Sequence, residues 1–136
     1  MKRLIYFAAI SLILVNGFSL NAQTKDNRSQ TETAQKVEAY YFHLSSRCVT
    51  CKAVESEAKK NLETLYPGKI VFQSLNLEDS ENDILVKKLE ISGQTLLIVL
   101  GEKQINLTNE GFLYARNNPA RFKSIIKERV DRLKSQ

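Results

Sequence analysis

The chain holds two cysteines, one histidine, two prolines, one methionine and no tryptophan in 136 residues. Two cysteines are too few for a disulfide-dense scaffold. One histidine, His43, argues against a histidine-rich metal site and against a Ser-His-Asp arrangement. Five glycines, with no periodic placement, exclude collagen and leave no glycine-rich loop to cradle phosphate. No apolar run approaches the roughly 20 residues that a membrane span requires, which excludes a multi-span membrane protein. Neither charge dominates: 20 basic and 15 acidic residues give a net +5, with no clustered Lys/Arg stripe of the kind that tracks nucleic acid. What remains is 43% hydrophobic, 26% charged and 8% aromatic, an ordinary globular composition in a length suited to one small domain.

The N-terminus has the pattern of an address. Lys2 and Arg3 precede a twelve-residue apolar run, Leu4 to Val15, which Asn16 and Gly17 interrupt. That length suits a secretory signal better than a span, so residues 1–22 are expected to be a signal peptide cleaved after Ala22. Cleavage after Ser19, with Gly17 at the −3 position, and retention of the run as an anchor are the alternatives. No cysteine near the site supports lipid attachment. The product is expected to be exported, periplasmic or secreted; loss of Lys2 and Arg3 would lower its net charge to +3. Residues 23–35 contain no large apolar side chain and read as a flexible polar leader. The folded domain is expected over residues 36–136.

Strand and helix patterns then alternate. Val37 to His43 is β-rich and bounded by polar residues. Cys51, Val54, Ala58, Leu62 and Leu65 recur at helical spacing, and Pro67-Gly68 ends that helix. Ile70 to Leu77 reads as a second strand. A short helix capped by Asp79 or Ser80 runs to Leu89, with Ile84, Leu85 and Leu89 inward. Thr95 to Leu100 is a continuous apolar run suited to a strand buried on both faces. Gly101-Glu102 turns into a fourth strand near Gln104 to Leu107. Asn118-Pro119 opens a last helix whose apolar face is Phe122, Ile125, Ile126, Val130 and Leu133. The order β-α-β-α-β-β-α predicts an α/β domain with helices on both faces of a mixed sheet.

One tetrapeptide carries the chemistry. Cys48-Val49-Thr50-Cys51 stands at the junction of the first strand and first helix. A thiol at a helix start meets unpaired N–H groups and the positive end of the dipole, both of which favour thiolate. Arg47 adds a cationic neighbour. Cys48 is therefore expected to be exposed and nucleophilic. Cys51, one turn deeper on the same face, can resolve a mixed disulfide formed at Cys48. A purely stabilising bridge across so short a loop would contribute only about 2 kcal/mol, against nearly 5 for a long loop. A structural zinc site needs four ligands, and the pair with His43 supplies at most three. A soft metal such as Cu(I) accepts two thiolates and stays open as an alternative. His43, at the end of the strand, is expected to pack rather than to move protons, and Tyr40, Tyr41 and Phe42 to pack on both faces of a central strand.

This order of elements, with C-x-x-C at the first strand–helix junction, resembles the thioredoxin fold over about residues 36–133. The resemblance implies a three-layer α/β/α sandwich. It extends to Ile91–Val99, similar to the loop and strand that face the cysteines in that family. More narrowly, Tyr40 to Glu55 (YYFHLSSRCVTCKAVE) is similar to small exported thioredoxin-like proteins labelled nitrophenyl compound nitroreductase subunit, ArsF family. Three positions depart from the thioredoxin pattern. Thr95 stands where thioredoxins place a cis-proline, so a trans peptide is expected there, and its hydroxyl would line the substrate loop. Phe42 stands at the offset of the family's buried acid, which leaves proton transfer at Cys51 to water, His43 or another group. Val49 and Thr50 separate the cysteines in place of Gly-Pro.

The residues and the resemblance together imply thiol–disulfide exchange by Cys48 and Cys51, supported by Arg47, Thr50, His43 and Thr95. No cofactor and no bound metal are expected; nitroreduction normally needs a flavin, and the chain has no dinucleotide fingerprint, so passing electrons to a partner enzyme suits it better. Implied partners are disulfide-containing or dithiol proteins, an upstream membrane reductase or a partner enzyme, with no nucleic acid and a monomeric state. The competing expectations are a non-enzymatic binding module for a soft metal or a protein, and a redox subunit of a larger enzyme.

Overall fold

The computed structural model describes residues 36–136; the expected signal peptide and leader lie outside the described residues. Nine elements follow in order. Strand β1 (Val37–His43) leads to helix α1 (Val49–Leu65) and strand β2 (Ile70–Asn76). A 3-10 turn at Ser80–Asn82 runs into helix α2 (Asp83–Lys88), and strands β3 (Thr95–Leu100) and β4 (Lys103–Asn106) form a hairpin. Helices α3 (Thr108–Tyr114) and α4 (Pro119–Lys134) close the chain.

The sheet order is β2-β1-β3-β4. β1 pairs parallel with β2, from Val37 opposite Ile70 to His43 opposite Asn76. β3 runs antiparallel to β1, with Phe42 opposite Thr95, and β4 runs antiparallel to β3. The two central strands are the two most continuous apolar runs, as burial on both faces demands. The side chains of β1 alternate between two cores. Val37, Ala39 and Tyr41 pack with Val54, Ala58 and Leu62 of α1 and Phe122, Ile126 and Val130 of α4. Tyr40 and Phe42 pack with Leu97, Val99 and the half-buried Leu85, Val86 and Leu89 on the α2 side. Helices thus cover both faces of a mixed sheet, the three-layer arrangement expected. The strand order and directions, with α1 crossing between the parallel strands, are those of a thioredoxin-like fold.

Local signals explain the ends of the elements. Asn118 caps α4 by accepting a hydrogen bond from Arg121 N at 3.0 Å, with Pro119 in the first turn. Gly68 takes a positive φ of 68° in the turn after α1. Tyr66, the last buried residue of that region, donates to Asp131 Oδ1 at 2.6 Å and ties the end of α1 to α4.

Two expectations are corrected here. Ile84 does not face inward: it is 83% exposed, and Val86 joins Leu85 and Leu89 on the inner side. The 3-10 turn before α2 advances about 120° per residue rather than 100°, so three residues shift the phase of the helix by about 60°. Helix α3 has no counterpart in the predicted order. Gly111 at its centre disfavours helix by about 1 kcal/mol, yet tertiary contacts hold it. Thr108 Oγ1 accepts from Leu96 N at 2.9 Å, and Thr108 donates to Asn106 Oδ1 from both its amide and its hydroxyl. Gly111 packs directly against Val54 and Phe122.

Candidate functional site

Residues Leu44 to Arg47 join β1 to α1 and carry Cys48 to the helix start. The far end of β2 pins this loop. Leu77 N donates to His43 O at 2.7 Å, Ser45 N to Glu78 Oε2 at 2.7 Å, and Asn76 Nδ2 to Ser45 Oγ at 2.8 Å. The hydrogen bonds from Ser45 hold the Glu78 carboxyl below its usual range.

Cys48 is the N-cap of α1. Its backbone is extended, its sulfur accepts from Cys51 N at 3.1 Å, and its carbonyl accepts from Lys52 N at 3.1 Å. The sulfur therefore sits among the unpaired amides of the first turn, where the helix dipole favours negative charge. Cys48 is exposed, whereas Cys51 is only 6% exposed. The two form a disulfide. One sulfur is reachable and the other lies behind it, one turn into the helix.

The supporting residues are placed unevenly. Arg47 forms an ion pair with Glu55 of α1, so its charge is engaged by that carboxylate. Thr50 is half-buried within the first turn. His43 is half-buried, and its Nδ1 lies 3.0 Å from Leu44 O, so its recorded partner is backbone rather than sulfur. Thr95 is 9% exposed and its hydroxyl donates to Gly93 O at 2.9 Å. The peptide before it is trans, as are the others among the described residues. Leu44 in the preceding loop and Val49 at the first position of α1 are exposed apolar side chains, at 46% and 69%.

The polar contacts of Cys51 come from two residues not singled out by the sequence. Tyr41, fully buried, donates its hydroxyl to Cys51 O at 3.0 Å. Gln94 Nε2 donates to the same Tyr41 oxygen at 2.7 Å, and Gln94 Oε1 lies 3.7 Å from Cys51 Sγ. Burial raises the Tyr41 hydroxyl above its ordinary value, while the hydrogen bond from Gln94 acts the other way. Phe42, which holds the buried-acid offset by residue count, points to the opposite core with Tyr40. The loop from β1 to α1 thus places Tyr41, not Phe42, beneath the second cysteine. A usable signal was present: a tyrosine on the α1 side of a buried strand must find a partner for its hydroxyl.

No three His, Cys, Asp or Glu side chains cluster for metal binding among the described residues. No helix among them is long and apolar enough to cross a membrane.

The fold is thioredoxin-like, and a disulfide-bonded cysteine pair stands at its first strand–helix junction. Two solved structures are similar to parts of the chain. The crystal structure of the germline-specific thioredoxin Deadhead from Drosophila melanogaster shares 18% identity with a TM-score of 0.45, over 69% of this chain and 81% of that one. A structure described as that of a malarial protein shares 21% identity with a TM-score of 0.40, over 51% of this chain and 74% of that one. No protein-family model and no curated protein matches the chain.

Proposed function

We propose that this chain is an exported thiol–disulfide oxidoreductase that exchanges electrons with disulfide-containing or dithiol proteins. The observation that carries the reading is the arrangement of the pair: Cys48 exposed as the cap of α1, with Cys51 buried one turn behind it and bonded to it. In the reducing direction the Cys48 thiolate attacks a client sulfur, forming a bond to it and expelling the other client sulfur as thiolate. Cys51 then loses its proton to solvent and attacks Cys48 Sγ. The disulfide closes and the second client sulfur leaves; two electrons have passed from the pair to the client. The exposed apolar side chain of Val49, next in sequence to Cys48, is available for contact with a client.

Export rests on the charged, apolar and polar zones of residues 1–22. Nitroreduction normally needs a flavin, and the sequence carries no dinucleotide fingerprint, so passing electrons to a partner enzyme suits these residues better than independent nitroreduction. The test is insulin reduction driven by dithiothreitol with the wild-type chain and Cys48→Ser. Serine keeps the helix cap, so the variant should fold and lose all catalysis above background. Equal activity of the two proteins overturns the reading.

A further inference from the structure

The Tyr41 hydroxyl, the Gln94 amide and Cys51 constrain one another. The Tyr41 hydroxyl has one proton, and it is given to Cys51 O. Toward Gln94 the same oxygen can only accept, so the Gln94 amide must present Nε2 to it. That choice turns Oε1, an acceptor, toward Cys51 Sγ. An acceptor fixed in this direction favours a sulfur that carries a proton. We propose that Gln94, oriented by Tyr41, is a positioning residue that holds Cys51 as a neutral thiol in the dithiol form, leaving Cys48 as the sole nucleophile.

The inference deepens the exchange reading and rests on it. In the disulfide no sulfur-bound proton exists, and the Oε1 contact at 3.7 Å has no hydrogen to share. Reduction to a Cys48 thiolate and a Cys51 thiol adds two electrons and one proton to the pair, and that proton, on Cys51, gains Oε1 as its acceptor. Gln94 therefore stabilises the dithiol state over the disulfide state, which makes the pair more oxidising. It also delays resolution, because Cys51 must give up a hydrogen-bonded proton before it attacks the Cys48–client bond. Tyr41 acts through Gln94: without its hydroxyl the amide is free to rotate and offer Nε2 to a Cys51 thiolate.

Two measurements on the full chain test this. First, the equilibrium with glutathione is measured for wild type, Gln94→Met and Tyr41→Phe. Gln94→Met keeps the length of the side chain without the acceptor. Its disulfide should be favoured by about fivefold over wild type, the weight of one modest hydrogen bond, or about 20 mV for a two-electron couple. Second, alkylation of Cys51 by iodoacetamide is followed against pH in a Cys48→Ala background, with and without Tyr41→Phe. The added Tyr41→Phe should move the inflection to lower pH, a response that loss of packing alone would not give. If both variants keep the wild-type equilibrium and the pH profile stands still, the inference is overturned while exchange itself survives. If wild type does not equilibrate with glutathione at all, the exchange reading fails first.

Discussion

Gly111 offers a test in which two effects of similar size oppose each other. Its backbone is ordinary helix, so alanine there should gain about 1 kcal/mol of helix propensity. Space opposes that gain. A Cβ at Gly111 would lie 2.8 Å from Val54 Cγ1, 3.4 Å from Val54 Cγ2 and 3.5 Å from Phe122 Cζ. Val54 and Phe122 are both fully buried, and valine in a helix is confined to one preferred rotamer. The contact cannot be relieved by swinging a flexible chain end, so overpacking should cost about 1–3 kcal/mol. Gly111→Ala should therefore lose about 1 kcal/mol net, a fall in melting temperature of about 4–8 °C for a domain of this size. In a Val54→Ala background the clash is absent and the same change should stabilise. Urea unfolding of the four oxidised proteins gives the coupling directly. A stabilising Gly111→Ala in the parent, or additivity within about 0.5 kcal/mol, refutes the reasoning.

Four further outcomes are expected. Cys51→Ser should trap client proteins on Cys48 as mixed disulfides, visible on non-reducing gels and absent from the double Cys48→Ser/Cys51→Ser chain. Glu55→Gln frees the Arg47 guanidinium from its ion pair, and alkylation of reduced Cys48 near neutral pH should rise about two- to fivefold; no change would remove Arg47 from the machinery. Reducing the disulfide should lower stability by about 2 kcal/mol, the entropy of a short loop, and leave the fold intact by circular dichroism. Burial and the neighbouring Glu38 push Tyr40 up to about 12, and burial also raises Tyr41 and Tyr66. The unfolded chain then releases protons near pH 10 that the folded chain keeps, so stability is full below pH 10 and falls toward pH 12. A urea midpoint that stays level across that window contradicts the assignment.

The strands and long helices were legible because their apolar spacing is driven by burial. Val37–His43 and Thr95–Leu100 are buried on both faces and read as such, and the five apolar positions of α4 all reach the core. Elements set by tertiary contact were not legible. Helix α3 has a glycine at its centre and is held by Thr108 bonding back to β3, a pairing that no local pattern announces. The cysteine pair was legible from spacing and placement. Gln94 was not: the resemblance set its loop opposite the cysteines, but the direction of its amide depends on the Tyr41 hydroxyl. Tyr41 was read as packing, which it also is; the fate of its hydroxyl needed the register of β1 against α1.

Cys48 is both the proposed reactive group and the residue that caps the start of α1. Helix α1 is a rod of seventeen residues, about 25 Å long, whose far end is tied through Tyr66 to Asp131 of α4. Under the proposed exchange, a pull on Cys48 should therefore load the buried seam between α1 and α4 rather than a loop.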